Sequence, residues 1–315
     1  AYTFDIGINS IDLDRYLKPD WSKRFLDDAA PLDFSSLKEL KLRGTLRAGA
    51  LTLAKIKTSK LSAEIVAEQS SLQIEPINAN FYGGTLSGSL SLSAQDQPNI
   101  TFRKKLANIQ LNPLLQDASG EARLNSKGNL ALELNAKGDS LGAWRKSLTG
   151  NATITLARGS LAGINLASAL AEGKSLLGMQ DSERSHVAKF SALTDFSELK
   201  VTFDIKDGNA HSGEFHMKSP LFIATGNGEI TLDSGNMDYR LDAAVASGLK
   251  RISSGELADM RGISVPMRVT GSYASPLYIL NFGTASGGNS AKLIKANLAK
   301  TAAAGTATTE KPARP

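Results

Sequence analysis

The sequence predicts a mainly β protein: a long, curved antiparallel β-sheet forming a groove or half-open barrel, with a few short helices. Three observations predict it. Short runs that alternate apolar and polar residues recur from about Ser35 to Phe282, each ended by Gly, Asn, Asp or Pro. Such period-two alternation puts apolar side chains on one side of a strand and polar ones on the other. Helical periodicity is confined to three short stretches. Finally, the hydrophobic share of 41% contains few aromatics, 6% of the chain, so the apolar side of the sheet is mostly aliphatic.

The elements follow in chain order. Residues Tyr2–Ile8 read as a strand, and Asp12–Leu17 as a helical turn stopped by Pro19. Residues 18–36 are polar, carry Pro19 and Pro31, and read as a loop. Leu40, Leu42, Leu46, Leu51 and Leu53 open the main strand series, with Gly44 and Gly49 marking bends or bulges. Leu72-Gln-Ile-Glu-Pro76 precedes Ala79–Leu86, where Gly83-Gly84 signals a turn. In Thr85–Ser93, leucines 86, 90 and 92 share one face and serines take the other.

Three short helices interrupt the series. The first is Leu111-Asn-Pro-Leu-Leu115. The second starts at the N-cap Ser140, places Leu141, Trp144 and Leu148 on one side, and stops before Gly150. The third runs from Leu166 to Leu177. Beyond it the alternation is clearest: Val201–Ile205, a Lys-Asp-Gly-Asn turn, Phe215–Met217, Ile230–Leu232, Met237–Leu241, Ser264–Gly271 and Ser275–Phe282. The chain divides into an elongated β domain, 1–283, and a flexible tail, 284–315, with a frayed helix near Ala291–Ala304. Ala1-Tyr-Thr-Phe-Asp-Ile6 begins inside a strand pattern with no signal peptide, which reads as a fragment of a longer chain.

Composition excludes several functions. The chain has no cysteine, hence no disulfide or thiol chemistry. The net charge of +5 is spread out, with local clusters at Arg103-Lys-Lys105 and Lys250-Arg251, and lacks the dense basic stripe of a nucleic-acid binder. No apolar run approaches the ~20 residues of a membrane-spanning helix. The three histidines, His186, His211 and His216, have no carboxylate at metal-site spacing. Gly226-Asn-Gly-Glu229 lies between strands and reads as a β-turn. No cofactor, metal or catalytic constellation is expected, and the chain does not read as an enzyme.

The combination of Leu148-Thr-Gly-Asn-Ala-Thr-Ile-Thr-Leu-Ala-Arg-Gly-Ser-Leu-Ala-Gly-Ile-Asn-Leu166, Phe196-Ser-Glu-Leu199, Asp207-Gly208, Ser219-Pro220, Asp238-Tyr-Arg-Leu241 and Met260–Gly271 with Ser275-Pro276 resembles the C-terminal domain of the AsmA family. Asp12-Leu-Asp-Arg-Tyr-Leu17 is a further match, whereas Asn165 stands where the family often has Asp. The resemblance implies an envelope protein of a Gram-negative bacterium, linked to outer-membrane assembly. It implies a periplasmic location, with the inner membrane reached through a missing N-terminal anchor. It also implies similarity to bridge-like lipid transfer proteins. Phospholipid or another acyl lipid is then the expected partner, envelope-assembly proteins are further candidates, and nucleic acid is not.

The alternation supplies a candidate lining for an apolar groove: Leu86, Leu90, Leu92, Leu130, Leu132, Leu134, Ile154, Leu156, Val201, Phe203, Ile205, Ile230, Leu232, Leu241, Val265, Met267 and Val269. A charge at Leu232 is expected to block lipid while leaving the fold intact. The same residues could instead form a dry core between two sheets or under the helices. A lipid-free scaffold for envelope assembly, an outer-membrane barrel and a β-solenoid are the competing readings. The barrel lacks aromatic girdles, and the solenoid lacks a fixed repeat.

Overall fold

The computed structural model describes residues 2–16, 31–95, 97–180, 182–246, 257–287 and 292. Among these the chain forms a single 16-stranded mixed sheet. The first half comprises β1 (Tyr2–Asp12), β2 (Leu42–Leu53), β3 (Ile56–Glu68), β4 (Ser71–Phe81), β5 (Gly84–Ser93), β6 (Asn99–Gln110), β7 (Leu124–Lys137) and β8 (Thr149–Gly163). The second half comprises β9 (Glu183–Val187), β10 (Lys189–Phe196), β11 (Glu198–Lys206), β12 (Asn209–Lys218), β13 (Phe222–Thr231), β14 (Asn236–Val245), β15 (Ser264–Ser272) and β16 (Ser275–Asn281). Four short helices accompany them: α1 (Ser35–Glu39), α2 (Leu111–Ser119), α3 (Leu141–Ser147) and α4 (Leu166–Glu172).

The long antiparallel sheet expected from the alternation is present, with one correction: β1 pairs with β2 in parallel. Gly44 permits that pairing, because a Cβ there would run into the backbone and ring of Phe4 on β1. Neighbouring strands are joined mostly by tight hairpins. Ala54-Lys55, Gln69-Ser70, Tyr82-Gly83 and Asp207-Gly208 all hold both central residues at positive φ. That is the turn geometry whose twist suits a two-residue hairpin. The Asp14 carboxylate accepts from the backbone N–H groups of Ala54 and Lys55 at 2.6 and 2.8 Å, which holds two non-glycine residues in the left-handed region.

Register shifts fall between Ser59 and Ser62, Ile74 and Ile77, Leu106 and Ile109, and Ser126 and Gly128. Bulges bend and twist the strand that carries them. Repeated on adjacent strands, they curve the first half of the sheet instead of leaving it flat.

The second half is bent further. β9 pairs with β16, β10 pairs with β8, and only Ala188 separates β9 from β10. Segment 183–196 therefore reaches from the far end of the sheet back to its middle, and the second half folds over its own apolar face. The sheet as a whole does not close into a barrel, since β1 stands at the end of the strand order.

Helix boundaries follow their caps. Ser140 accepts from the N–H of Ala143 and Asn165 from that of Ser168, so Asn does at α4 what Asp would do. α2 runs further than its apolar residues suggest and stops at Gly120, which takes the left-handed C-cap conformation. The third expected helix is shorter: after Glu172 the chain tightens into a 3₁₀ turn over Gly173–Leu176. Part of the expected 18–36 loop is ordered instead, with Pro31 bridging to Ser140 and α1 starting at Ser35. The folded part includes Ala285, which is buried, and Ser286, which bridges to Ser264. The stop at Pro19, the Lys250-Arg251 cluster and, apart from Lys292, the tail helix near Ala291–Ala304 lie outside the described residues.

Candidate functional site: an apolar trough

Strand register fixes which side chains share a face. One row runs straight across ten strands: Leu86, Leu106, Leu130, Ile154, Val201, Phe215, Gly226, Leu241, Met267 and Leu280. A second row aligns Leu90, Phe102, Leu134, Gly150, Ile205, Ala210, Ile230 and Met237. Leu92, Leu132, Leu156, Phe203, Val265 and Val269 occupy neighbouring rows of the same face. Leu232 differs from the other expected lining residues: it sits in the turn after β13, its N–H bonded to the carbonyl of Gly208. The opposite face is polar, with the Arg103–Glu133 ion pair at 2.8 Å and a Thr101–Asn135 hydrogen bond.

The shared face meets two different environments. In the second half it is covered. Leu156, Val201, Leu241, Val265, Met267 and Val269 belong to one buried cluster with α4 and the residues after it, including Leu170, Leu177, Phe196, Phe222, Met260 and Phe282. Val265 and Leu280 are fully buried. Gly173 lets the turn after α4 lie directly on Phe282, whose ring would overlap an added Cβ. An apolar cavity of about 340 Å³ remains inside, walled by Val201, Phe203, Met217, Leu241, Met267 and Val269 among others. Burial pushes the phenol of Tyr239 on its wall up to about 12 and also raises that of Tyr278. At the edge of this cavity Arg123 donates to the carbonyls of Tyr273 and Ala274.

In the first half, among the described residues, the face is covered only along its two rims. On one rim, α1 packs Leu37 against Ala67 and Ala94, with Phe34, Leu42, Leu72 and Leu92 around them. The same segment crosses to β7 and α3, where Leu32 donates to Asp139 and Phe34 stacks on Trp144 at 6.3 Å. On the other rim, α2 lies over Phe81, Leu106 and Ile109. There the Tyr82 hydroxyl donates to Asp117 at 2.8 Å and Lys57 pairs with Asp117 at 3.0 Å. The Tyr82 hydrogen bond, then Lys57, holds the Asp117 carboxyl below its usual range.

Between the rims lies a strip that no second layer covers among the described residues. Leu46, Leu61, Ile65, Ile74, Ile77, Leu90, Phe102, Leu132 and Leu134 are only partly buried there and belong to no packed cluster. Partly buried residues of the second half, such as Phe203 and Ile230, pack against its buried cluster; among the described residues these are enclosed by their neighbours in the sheet. Among the described residues of β2 to β8, the register places one charged side chain on this face. Lys104 lies between Gly88 and Leu132, and partial burial lowers its pKa. A larger cleft, about 750 Å³, has a mixed wall that includes Gln110, Pro113, Asn125, Lys127, Arg158 and Phe196, and is less apolar than the cavity of the second half.

Several of these residues escape a reading of the sequence. The bulges near Lys60 and Pro76 shift the alternation by one residue, so Leu61, Ile65, Ile74 and Ile77 fall out of phase with a simple count. Lys104 is hidden inside Arg103-Lys-Lys105, which reads as one solvated cluster. The usable signal was alternation itself: Arg103 and Lys105 point out, so Lys104 points in.

The model of the AsmA family matches residues 22–215. The chain belongs to the AsmA family. The match spans the trough from β2 to β8 and ends within β12. Membership in the AsmA family associates this protein with biogenesis of the bacterial envelope. No curated protein and no solved structure matches the chain.

Proposed function

We propose that this AsmA-family protein is a periplasmic lipid-binding and lipid-transfer module. It shields acyl chains in the trough and so supports outer-membrane biogenesis. It is held at the inner membrane in the full-length protein and works without catalytic chemistry. The observation that carries this reading is the uncovered strip of Leu46, Ile65, Ile74, Leu90, Phe102 and Leu132, flanked by rims that are packed.

The physical need is plain. Exposing two ~16-carbon chains to water at ~0.8 kcal/mol per CH₂ costs on the order of 25 kcal/mol. An aliphatic trough offsets most of that cost and leaves the head group wet. From β2 to β8 there are six strand spacings of ~4.8 Å, so the trough is about 29 Å long. One leaflet's acyl chains need about half the ~30 Å hydrocarbon core of a bilayer. An aliphatic lining also lets a chain slide, because no directional bond must break.

A second reading has its own support. The buried second half is what a lipid-free scaffold for envelope assembly would present. Native mass spectrometry of the purified protein, with lipid extraction from the same sample, separates the two. Co-purified phospholipid that is lost in Ile74→Asp is the expected result. A lipid-free mass that takes up no added phospholipid would favour the scaffold.

A further inference from the structure

Lys104 is out of place on its face. Register puts it directly between Gly88 and Leu132, with Phe102 and Leu106 on either side along β6 and Leu86, Leu90, Leu130 and Leu134 at the diagonals. All of these are apolar. Of the residues that share the face across β2 to β8, none carries a negative charge. The ion pairs formed by the described residues do not include Lys104, whereas its neighbour Arg103 is paired with Glu133 on the outer face. The lysine also sits at the sixth of twelve positions in β6, midway between the two rims.

A cation on an apolar floor has a desolvation cost that only an opposite charge offsets, and a charge-assisted hydrogen bond forms readily there. The flexible stem can lie along the floor while the ammonium rises toward the open side. Gly88 opposite it lets the two strands approach closely, since a Cβ there would run into the Arg103 carbonyl and the Lys104 Cα.

We infer that Lys104 is a head-group station in the trough: it selects acyl lipids that carry a negative charge and holds that charge at mid-width while the chains lie on the leucines to either side. This rests on the lipid-binding reading above and adds the class of lipid. The shared chemistry is an anionic oxygen group, either the phosphate of a phospholipid or the carboxylate of a fatty acid.

The test uses delipidated protein and three probes delivered from cyclodextrin: phosphatidylglycerol, oleate and uncharged diacylglycerol. Inorganic phosphate serves as a competitor. Wild type is expected to bind at least one anionic lipid about tenfold more tightly than diacylglycerol, a difference of about 1.4 kcal/mol. Lys104→Met should lose that preference while binding diacylglycerol as wild type does, which also shows that it folds. Lys104→Arg should keep the preference, and so should Lys105→Met, whose side chain lies on the outer face. Phosphatidylglycerol and oleate compared with each other identify the source of the anion. Equal binding of charged and uncharged lipids by wild type, or a preference that survives Lys104→Met, overturns the inference and leaves the trough reading standing. Displacement of phosphatidylglycerol by millimolar inorganic phosphate would also overturn it, because the lysine would then be a free-phosphate site. No binding of any lipid by wild type removes both readings.

Discussion

Placing a carboxylate on the uncovered strip and another in the covered half should have opposite consequences. Ile74→Asp is the probe of the strip, because Ile74 lies within it between Ile65 and Leu90, two strand spacings from Lys104. Ile74 is partly buried by its in-plane neighbours Ile65 and Leu90. Losing that burial costs about 1–2 kcal/mol. The poorer strand propensity of Asp adds up to about 1 kcal/mol. The carboxylate itself keeps contact with water across the open trough. The sum, roughly 1–3 kcal/mol, is within the 5–15 kcal/mol stability of an ordinary domain. Val265 is fully buried in the second half. Val265→Asp loses about 2 kcal/mol of burial and strands an unpaired charge, for several kcal/mol more. That total rivals the stability of the whole fold. Urea titration followed by circular dichroism should therefore show a modestly shifted, cooperative transition for Ile74→Asp and no native baseline for Val265→Asp. Native mass spectrometry should find Ile74→Asp folded and free of lipid. If Ile74→Asp is as damaging as Val265→Asp, the strip is covered and the trough does not exist. If it folds and keeps its lipid, the strip does not line the binding site.

Other tests come from charge and packing. Lys104 has a lowered pKa when folded, so between its folded and unfolded values, the latter about 10.4, the unfolded chain binds more protons and stability rises with pH. Lys104→Met should accordingly be more stable than wild type at neutral pH, and the gap in urea midpoints should shrink as pH climbs toward about 10.4; a constant gap would argue against a desolvated lysine. Asp117 has a depressed pKa from Tyr82 and Lys57, so its contribution is present above the unfolded carboxyl pKa and lost as pH falls through the folded one. Amides of α2, corrected for intrinsic rates, should exchange faster in acid and in Asp117→Ala, and the variant should lose the acid effect. Gly173→Ala should cost about 1–3 kcal/mol, since its Cβ would overlap the Phe282 ring; an unchanged thermal midpoint would show that this contact is loose.

Much of the fold is legible in the sequence because its causes are local. Alternation in Thr85–Ser93 or Val201–Ile205 decides which side of a strand is apolar, since successive side chains must point to opposite faces. Ser140 and Asn165 mark helix starts because their side chains can satisfy a free backbone N–H. The bulges were less legible. Lys60 and Asn108 take positive φ without being glycine, so no residue type announces them, and each shifts the phase of the rest of its strand. A charge test of the lining belongs at Ile74 and not at Leu232 for a related reason: alternation cannot tell the last strand residue from the first turn residue.

By itself the sequence determined a long sheet with one aliphatic face, its main turns and its helix caps. It could not determine what lies against that face, because Leu90 and Leu132 obey the same alternation as Val265 and Met267. Tertiary structure decided the difference. Segment 183–196 pairs with β16 at one end and β8 at the other, and α4 fills the space it encloses, so the second half is packed. No such return crosses the middle of β2 to β7 among the described residues, and there the leucines stay uncovered. Period-two pattern reports the side on which a residue avoids water. Whether protein or a ligand provides that shelter depends on contacts between residues far apart in the chain.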